Sequence, residues 1–213
     1  MNTPVVWHTE FAKVVACARC TTATCRNLLR DANENVPQPG YLGSGYSKVR
    51  VLLVGQNPGT PKSREVQDRP YTTALRALRD EPTPKRYAEL SAVLRNFTPK
   101  WPVTNNYFPL GECDLTLEDI AYCNVIRCRT DRDKKPNKNL AAEYVSEHFT
   151  HWLRFLAPKV VIFIGKWAWE QDQHAVATTG IPSTYINRQR SLSSAERAEN
   201  RAQVVALVRK YRG

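Results

Sequence analysis

The chain has 213 residues and a formal net charge of +11. That length is enough for a sizeable core, and we predict a single domain over residues 1–213. The basic excess favours an anionic partner, most simply nucleic acid, over a merely solubilising surface. No apolar run approaches the ~20 residues of a membrane span, which excludes a membrane-spanning class.

The first four residues do not begin a basic stretch followed by a long apolar one, so we expect no secretory signal. We therefore expect a cytoplasmic monomer with no membrane partner. In that compartment the six cysteines are more typical of metal ligands or core thiols than of disulfides.

Two of these cysteines, Cys17 and Cys20, form a C-x2-C pair, and Cys25 follows five residues later. The spacing lets two thiolates face one metal ion or cluster iron from a tight turn. A pair of ordinary thiols fits it too, so both interpretations stay open at this point.

The apolar run 49–54 predicts a strand that is buried on both faces of a parallel sheet. A Gly-Gln-Asn-Pro-Gly loop follows at 55–59 and ends that strand tightly. Ligands bind at the carboxyl ends of strands in open α/β sheets, and the side chains of Gln56 and Asn57 are amides suited to a water or a base edge. A plain turn is the alternative.

Helices are predicted over residues 72–79 and 85–96. Tyr71, after Arg69 and Pro70, is either an aromatic that stacks on a flat ring or a core residue that opens the first helix.

The segment 119–128 predicts a second buried strand that contains Asn124 and ends at Cys128. A buried amide costs about 1–3 kcal/mol unless it is hydrogen-bonded. Asn124 therefore bonds nearby backbone or faces a ligand, and a carboxamide matches the edge of a pyrimidine.

The second half alternates between helices and strands, which predicts an α/β/α sandwich with a central, mostly parallel sheet. The expected elements are a helix at 139–156, a strand at 159–165, a short helix after it, a weaker strand at 175–179, a loop at 180–190 and a helix capped by Ser194. The loop contains Pro182, Ser183, Arg188 and Arg190, a composition that suits a phosphate backbone or a solvated basic loop.

The order of these pieces resembles the uracil-DNA glycosylase superfamily, and most closely its iron–sulfur (family 4) branch. The resemblance extends from Cys17 to the final helix and rests on the ordered set of motifs. These are C-x2-C at 17–20, G-x-x-P-G after the strand at 49–59, R-P-[FY] at 69–71, N-V-x-x-C at 124–128, P-K-V-V-I-x-x-G at 158–165 and P-S at 182–183.

The resemblance implies a monofunctional DNA glycosylase that flips a damaged or modified base out of the helix and hydrolyses its N-glycosidic bond. Gln56 and Asn57 would form the catalytic loop that holds the attacking water. Tyr71 would stack on the base, and Asn124 would bond its pairing edge. The DNA would be contacted by Pro182, Ser183, Arg188 and Arg190.

Two departures from the family pattern bear on the substrate. Where iron–sulfur members typically have Glu-Ala, this chain has Gln56-Asn57, so we place water positioning on Asn57 and a backbone or base contact on Gln56. Ile181 replaces the usual His before Pro-Ser and cannot stabilise a leaving anion. The alternative substrates to uracil are deaminated purines, or hypermodified phage-DNA cytosine in anti-phage defence. The alternative function is a catalytically weak module that binds DNA and senses lesions.

The resemblance also implies a structural [4Fe-4S] cluster, with zinc or no metal as alternatives. Three of the four family ligand positions hold cysteine, and the fourth holds Phe149, next to His148. The candidate ligands are Cys17, Cys20, Cys128 and His148, with Cys25 and Cys113 as other candidates for the fourth.

Overall fold

The structure is a computed structural model that describes residues 7–18, 28, 36–59, 69–97, 108–131, 134–136, 138–189 and 191–212. The helices in chain order are α1 (Trp7–Val15), α2 (Tyr46–Val49), α3 (Arg69–Asp80), α4 (Pro84–Phe97), α5 (Lys138–Tyr144), α6 (Thr150–Leu156), α7 (Lys166–Ala177) and α8 (Ser194–Tyr211). None of the helices in these ranges is long and apolar enough to cross a membrane.

The chain divides into two compact units. The first comprises residues 1–39, 57–97 and 127–137, and the second comprises 40–56, 98–126 and 138–213. The single domain expected over the whole chain stays a prediction.

In the first unit, α1 contacts both α3 and α4. The ring of Phe11 meets the ring of Tyr87 edge-on at a centroid distance of 5.2 Å. Leu75, Leu78 and Leu90 are buried, because these leucines lie on the inner faces of amphipathic helices. The two predicted helices are confirmed, each slightly longer than expected.

The second unit is built on one five-stranded sheet in the order β1-β3-β2-β4-β5. The strands are β1 (Tyr41–Leu42), β2 (Val51–Gly55), β3 (Ile120–Asn124), β4 (Val160–Ile164) and β5 (Ser183–Ile186). All neighbours are parallel except β1, which pairs antiparallel with β3. Every residue of β2, β3 and β4 is buried, as their apolar runs predict. The predicted α/β class with a mostly parallel central sheet flanked by helices is confirmed.

The predictions of a strand at 175–179 and of a loop through Ser183–Ile186 are wrong. Helix α7 continues through Ala177, where a weak strand was expected, and the hydroxyls of Thr178 and Thr179 donate to carbonyls of its last turn. Gly180, with φ of 71°, reverses the chain. Strand β5 then lies inside the predicted loop and pairs with β4.

Two smaller corrections concern the helices of the second unit. The single helix expected at 139–156 is interrupted by a π-helical turn at Val145–Phe149 between α5 and α6. The cap of α8 is Ser193 rather than Ser194, because the Ser193 and Glu196 side chains each bond the other residue's backbone N–H.

Candidate active site

Four parallel strands of the second unit end at one edge of the sheet, the edge at which ligands bind in this class of fold. In the register of the sheet, Gly55 lies beside Asn124, and Ile164 lies beside Ile186. The residues that follow the strand ends at this carboxyl edge include Gln56, Gly165 and Asn187.

Asn124 is held by a side chain of its own strand. It is 2% exposed, and the Tyr122 hydroxyl donates a buried hydrogen bond of 2.7 Å to its Oδ1. Residues two apart on a strand lie on the same face, which brings the two side chains together. The sequence predicts that this buried amide needs a hydrogen-bond partner, but Tyr122 was not identified as that partner. The signal was its position two residues before Asn124 on the predicted strand.

Gly55 makes room for this hydrogen bond. A Cβ atom at Gly55 would lie 2.1 Å from the Tyr122 hydroxyl oxygen and 2.5 Å from Asn124 Oδ1. The adjacent backbone is also fixed, since the Val125 N–H donates to the Gly55 carbonyl at 2.8 Å and the Ile126 N–H donates to the Gln56 carbonyl at 3.0 Å. A side chain at position 55 would therefore displace the Tyr122–Asn124 pair.

In the first unit, the amide of Asn57 is oriented by its nitrogen. Nδ2 donates to the Pro58 carbonyl and to Thr130 Oγ1, both at 3.1 Å. Thr130 is fully buried, so its hydroxyl is held in position by the surrounding residues. An amide nitrogen has two hydrogens, and both are directed at these oxygens. Thr130 was not predicted from the sequence, where it lies in a basic loop.

The predicted DNA-contacting residues do not lie together. Ser183 pairs with Val161 near the amino end of β4, and the Pro182 carbonyl accepts from the Val161 N–H. Four residues of strand rise ~13 Å, so Pro182 and Ser183 lie at the opposite edge of the sheet from Asn124. Ile181 precedes them, and the residue that follows β5 at the carboxyl edge is instead Asn187.

Arg188 is the predicted DNA contact that reaches the carboxyl edge. It is exposed, and its Cδ lies 3.9 Å from the position of a Cβ on Gly165. Asn200 of α8 holds this loop, because its Nδ2 donates to the Tyr185 carbonyl at 3.1 Å and its Oδ1 accepts from the Asn187 N–H at 2.8 Å. Arg190 lies outside the described residues.

The other two predicted site residues have different surroundings. Tyr71 lies in the first turn of α3 and is only 8% exposed, as the core alternative expected, so base stacking by Tyr71 stays a prediction. Gln56 is half-buried in the second unit.

The predicted cysteine ligands differ in burial and in oxidation state. Cys17 is half-exposed. Cys128 is buried and disulfide-bonded, which corrects the expectation of reduced cysteines at this position. A disulfide sulfur is not a thiolate ligand, so a cluster would require Cys128 in its reduced form. Cys20 and Cys25 lie outside the described residues.

The candidates for the fourth ligand differ in environment. His148 lies in the π-helical turn of the second unit, half-buried, with its ring centroid 5.4 Å from that of Tyr144. Burial raises the pKa of the Cys113 thiol to about 11, which disfavours the thiolate. Within the described ranges, no group of three or more His, Cys, Asp or Glu could hold a metal ion, so these residues fit a cluster only in part.

Comparison with known families assigns most of the chain to a superfamily. The model of the Uracil DNA glycosylase superfamily matches residues 42–207, a range that contains Gln56, Asn57, Tyr71 and Asn124 and excludes the C-x2-C pair. No curated protein matches the chain.

Proposed function

Because the chain belongs to the uracil DNA glycosylase superfamily, we propose that it is a monofunctional DNA glycosylase that acts on a flipped-out base. The superfamily implies DNA glycosylase chemistry in general. The observation that supports hydrolysis here is the amide of Asn57, whose two N–H bonds point at Pro58 O and Thr130 Oγ1. These bonds orient the amide, and we assign the positioning of the attacking water to its Oδ1.

The proposed reaction is a displacement at the sugar C1′ carbon by water. Asn57 Oδ1 accepts a hydrogen bond from the water and aims its oxygen at C1′. The oxygen–C1′ bond forms, the C1′–N bond breaks, and its electron pair leaves with the base. A neutral amide is a poor proton acceptor, so the water proton passes to solvent or to the departing base. Asn57 therefore contributes orientation, a term that reaches several orders of magnitude in rate.

The DNA backbone is proposed to run past the carboxyl edge of the sheet in the second unit. Arg188 lies at that edge and can pair with a phosphate, and the net charge of +11 supports attraction to DNA at long range. The geometry gives no such support to Pro182 and Ser183, which lie at the other edge.

A panel of labelled oligonucleotides tests the function. It would contain uracil, hypoxanthine, xanthine, cytosine, and hydroxymethylated and glucosylated cytosine, as single and double strands. We expect release of at least one of these bases, detected as strand breakage at the abasic site after alkali. Tight binding to the DNA without release of any base would contradict a glycosylase and favour the lesion-sensing alternative, which the lack of a carboxylate at positions 56 and 57 would then explain.

We also propose membership in the iron–sulfur branch, with a [4Fe-4S] cluster held by Cys17, Cys20 and reduced Cys128 of the first unit. When bound, such a cluster would have a structural role. Cys17 and Cys128 belong to the same unit, which supports a shared site.

Protein purified under reducing, oxygen-free conditions is expected to contain about four iron atoms and matching sulfide per chain. The Cys128→Ser variant should lose most of this iron. Cys123→Ser is the matched control, because Cys123 is buried in β3 and is not a predicted ligand. Zinc in place of iron, or no metal at all, would contradict the cluster.

A further inference from the structure

We propose that Trp169 and Tyr185 form a stacking platform for an unpaired base of a DNA single strand, with Arg188 as the phosphate contact beside it. The inference rests on the proposed function for the identity of the ligand as DNA. It adds a second place at which this DNA is held, apart from the flipped base, and it implies that the strand is unpaired there.

The two rings of the platform lie against each other at the carboxyl edge of the sheet. Their centroids are 5.9 Å apart and their planes differ by 28°, which is a stacked arrangement. Tyr185 lies on β5, in register with Phe163 of β4. Trp169 lies in the first turn of α7, where its N–H donates to the Gly165 carbonyl at 3.3 Å. Both rings are therefore next to the strand ends at which ligands bind in this class of fold.

The platform is held in place by the sheet and by α8. Phe163 is fully buried, and its ring meets that of Trp169 edge-on at a centroid distance of 5.4 Å. The backbone of the second ring is also fixed, because Asn200 Nδ2 donates to the Tyr185 carbonyl at 3.1 Å. Rings that are already held lose little freedom when a base binds, which favours affinity.

Exposure distinguishes these two residues from the aromatic residues of the core. Phe149 and Phe163 are fully buried, as is expected of rings that only pack. Trp169 and Tyr185 are each half-buried, so part of each residue remains open to a ligand. Every base has a π-face that can stack on an aromatic ring, whatever the sequence of the strand.

The charge beside the platform matches the backbone of a nucleic acid. Arg188 follows β5 and is exposed, and its Cδ lies 3.9 Å from the position of a Cβ on Gly165. Lys166 and Glu170 form an ion pair at 3.8 Å on the same part of α7, so together they add no net charge. An aromatic face beside a cation is the combination that binds single strands without reading their sequence.

The platform lies close enough to the proposed base site to hold the same strand. In the order of the sheet, three strand spacings separate β3, which carries Asn124, from β5, a distance of ~14 Å. A single strand that passes along the carboxyl edge covers this distance within a few nucleotides. The stacked base is therefore a neighbour of the flipped base and not the flipped base itself.

The test separates stacking from the attraction of phosphates. Two fluorescent single strands of equal length would be compared, one of thymidines and one of base-free tetrahydrofuran spacers with the same phosphates. Dissociation constants would be measured by anisotropy for the natural protein and for Tyr185→Leu, Tyr185→Phe and Phe155→Leu. Phe155 is the matched control, because it is half-buried and its ring stacks on that of His151 at 6.1 Å, but α6 leads into the amino end of β4.

We expect the natural protein to bind the thymidine strand more tightly than the spacer strand, and Tyr185→Leu to reduce that preference about 10-fold, as expected for the loss of one stacked base. Tyr185→Phe retains an aromatic ring and should keep the preference, as should Phe155→Leu. An unchanged preference in Tyr185→Leu, or an equal loss in Phe155→Leu, would overturn the platform.

Arg188→Gln tests the phosphate contact separately. It should weaken the binding of both strands and reduce the slope of log affinity against log salt by about 0.7, because both strands carry the same phosphates. An unchanged slope would overturn the assignment of this contact to Arg188.

Photocrosslinking of the natural protein covers the case in which Tyr185→Leu does not fold. 5-Iodo-2′-deoxycytidine, placed at each position of the single strand in turn, crosslinks to aromatic residues that stack on it. The crosslinked peptides should contain Trp169 or Tyr185, and crosslinks confined to other residues would overturn the platform. Failure of these binding tests in a protein that releases base would overturn this inference alone, whereas stacking without release of any base would overturn the proposed function alone.

Discussion

The Gly55→Ala variant is expected to release base at least about 100-fold more slowly than the natural protein. Its new methyl group would begin 2.1 Å from the Tyr122 oxygen and 2.5 Å from Asn124 Oδ1, whereas ordinary contact begins near 3.4 Å. Both side chains would have to move by about an ångström. Misplacement on that scale costs about 100-fold in rate when orientation is the main catalytic term.

The measurement is single-turnover base release on the best substrate of the oligonucleotide panel, together with the melting temperature. Gly111→Ala is the matched control, because nothing lies within 4 Å of its virtual Cβ, and it should keep the natural rate. The double variant Gly55→Ala, Tyr122→Phe should recover part of the lost stability, since it removes the closest clash. A natural rate in Gly55→Ala would show that the Tyr122–Asn124 geometry is not needed for catalysis.

The central strands could be predicted because burial on both faces leaves a continuous apolar run in the sequence. Strand β5 could not, since it lies at the edge of the sheet, its residues are only half-buried, and Ser183–Ile186 carry no such run. The β-branched residues before it were mistaken for a strand, although Thr178 and Thr179 bond back to the end of α7. Tertiary pairing with β4 decided the outcome, as it often does for short elements.

The site residues that were predicted carry a signal in the sequence, whereas the contacts of those that were missed depend on the fold. Asn124 was identified because an amide inside an apolar strand requires an explanation. Tyr122 and Thr130 carry hydroxyls that can bond in many ways, so their partners are known only once the fold brings them together. The position of Pro182 and Ser183 at the amino edge also depends on where β5 begins, which the sequence placed incorrectly.

The second large effect is expected from Asn57→Ala, which should lower single-turnover base release about 100-fold or more while leaving DNA affinity close to that of the natural protein. Alanine removes the oxygen that orients the attacking water, and water positioning affects the rate rather than the binding of the DNA. The measurement compares the rate at saturating enzyme with the dissociation constant for a duplex that carries the same base.

Thr130 provides the control that separates the orientation of this amide from its mere presence. Thr130→Val preserves the shape of the buried side chain but removes the acceptor 3.1 Å from Asn57 Nδ2, while the bond from Nδ2 to the Pro58 carbonyl stays in place. We expect an intermediate loss of about 10-fold in rate, because the hydrogen bond to the Pro58 carbonyl still orients the amide. Thr130→Ser retains a hydroxyl and should stay near the natural rate. If Thr130→Val and Thr130→Ser were equally active, the amide of Asn57 would be oriented by its own loop.

If Asn57→Ala retained the natural rate, the water would be held elsewhere, and Gln56 would become the residue to test.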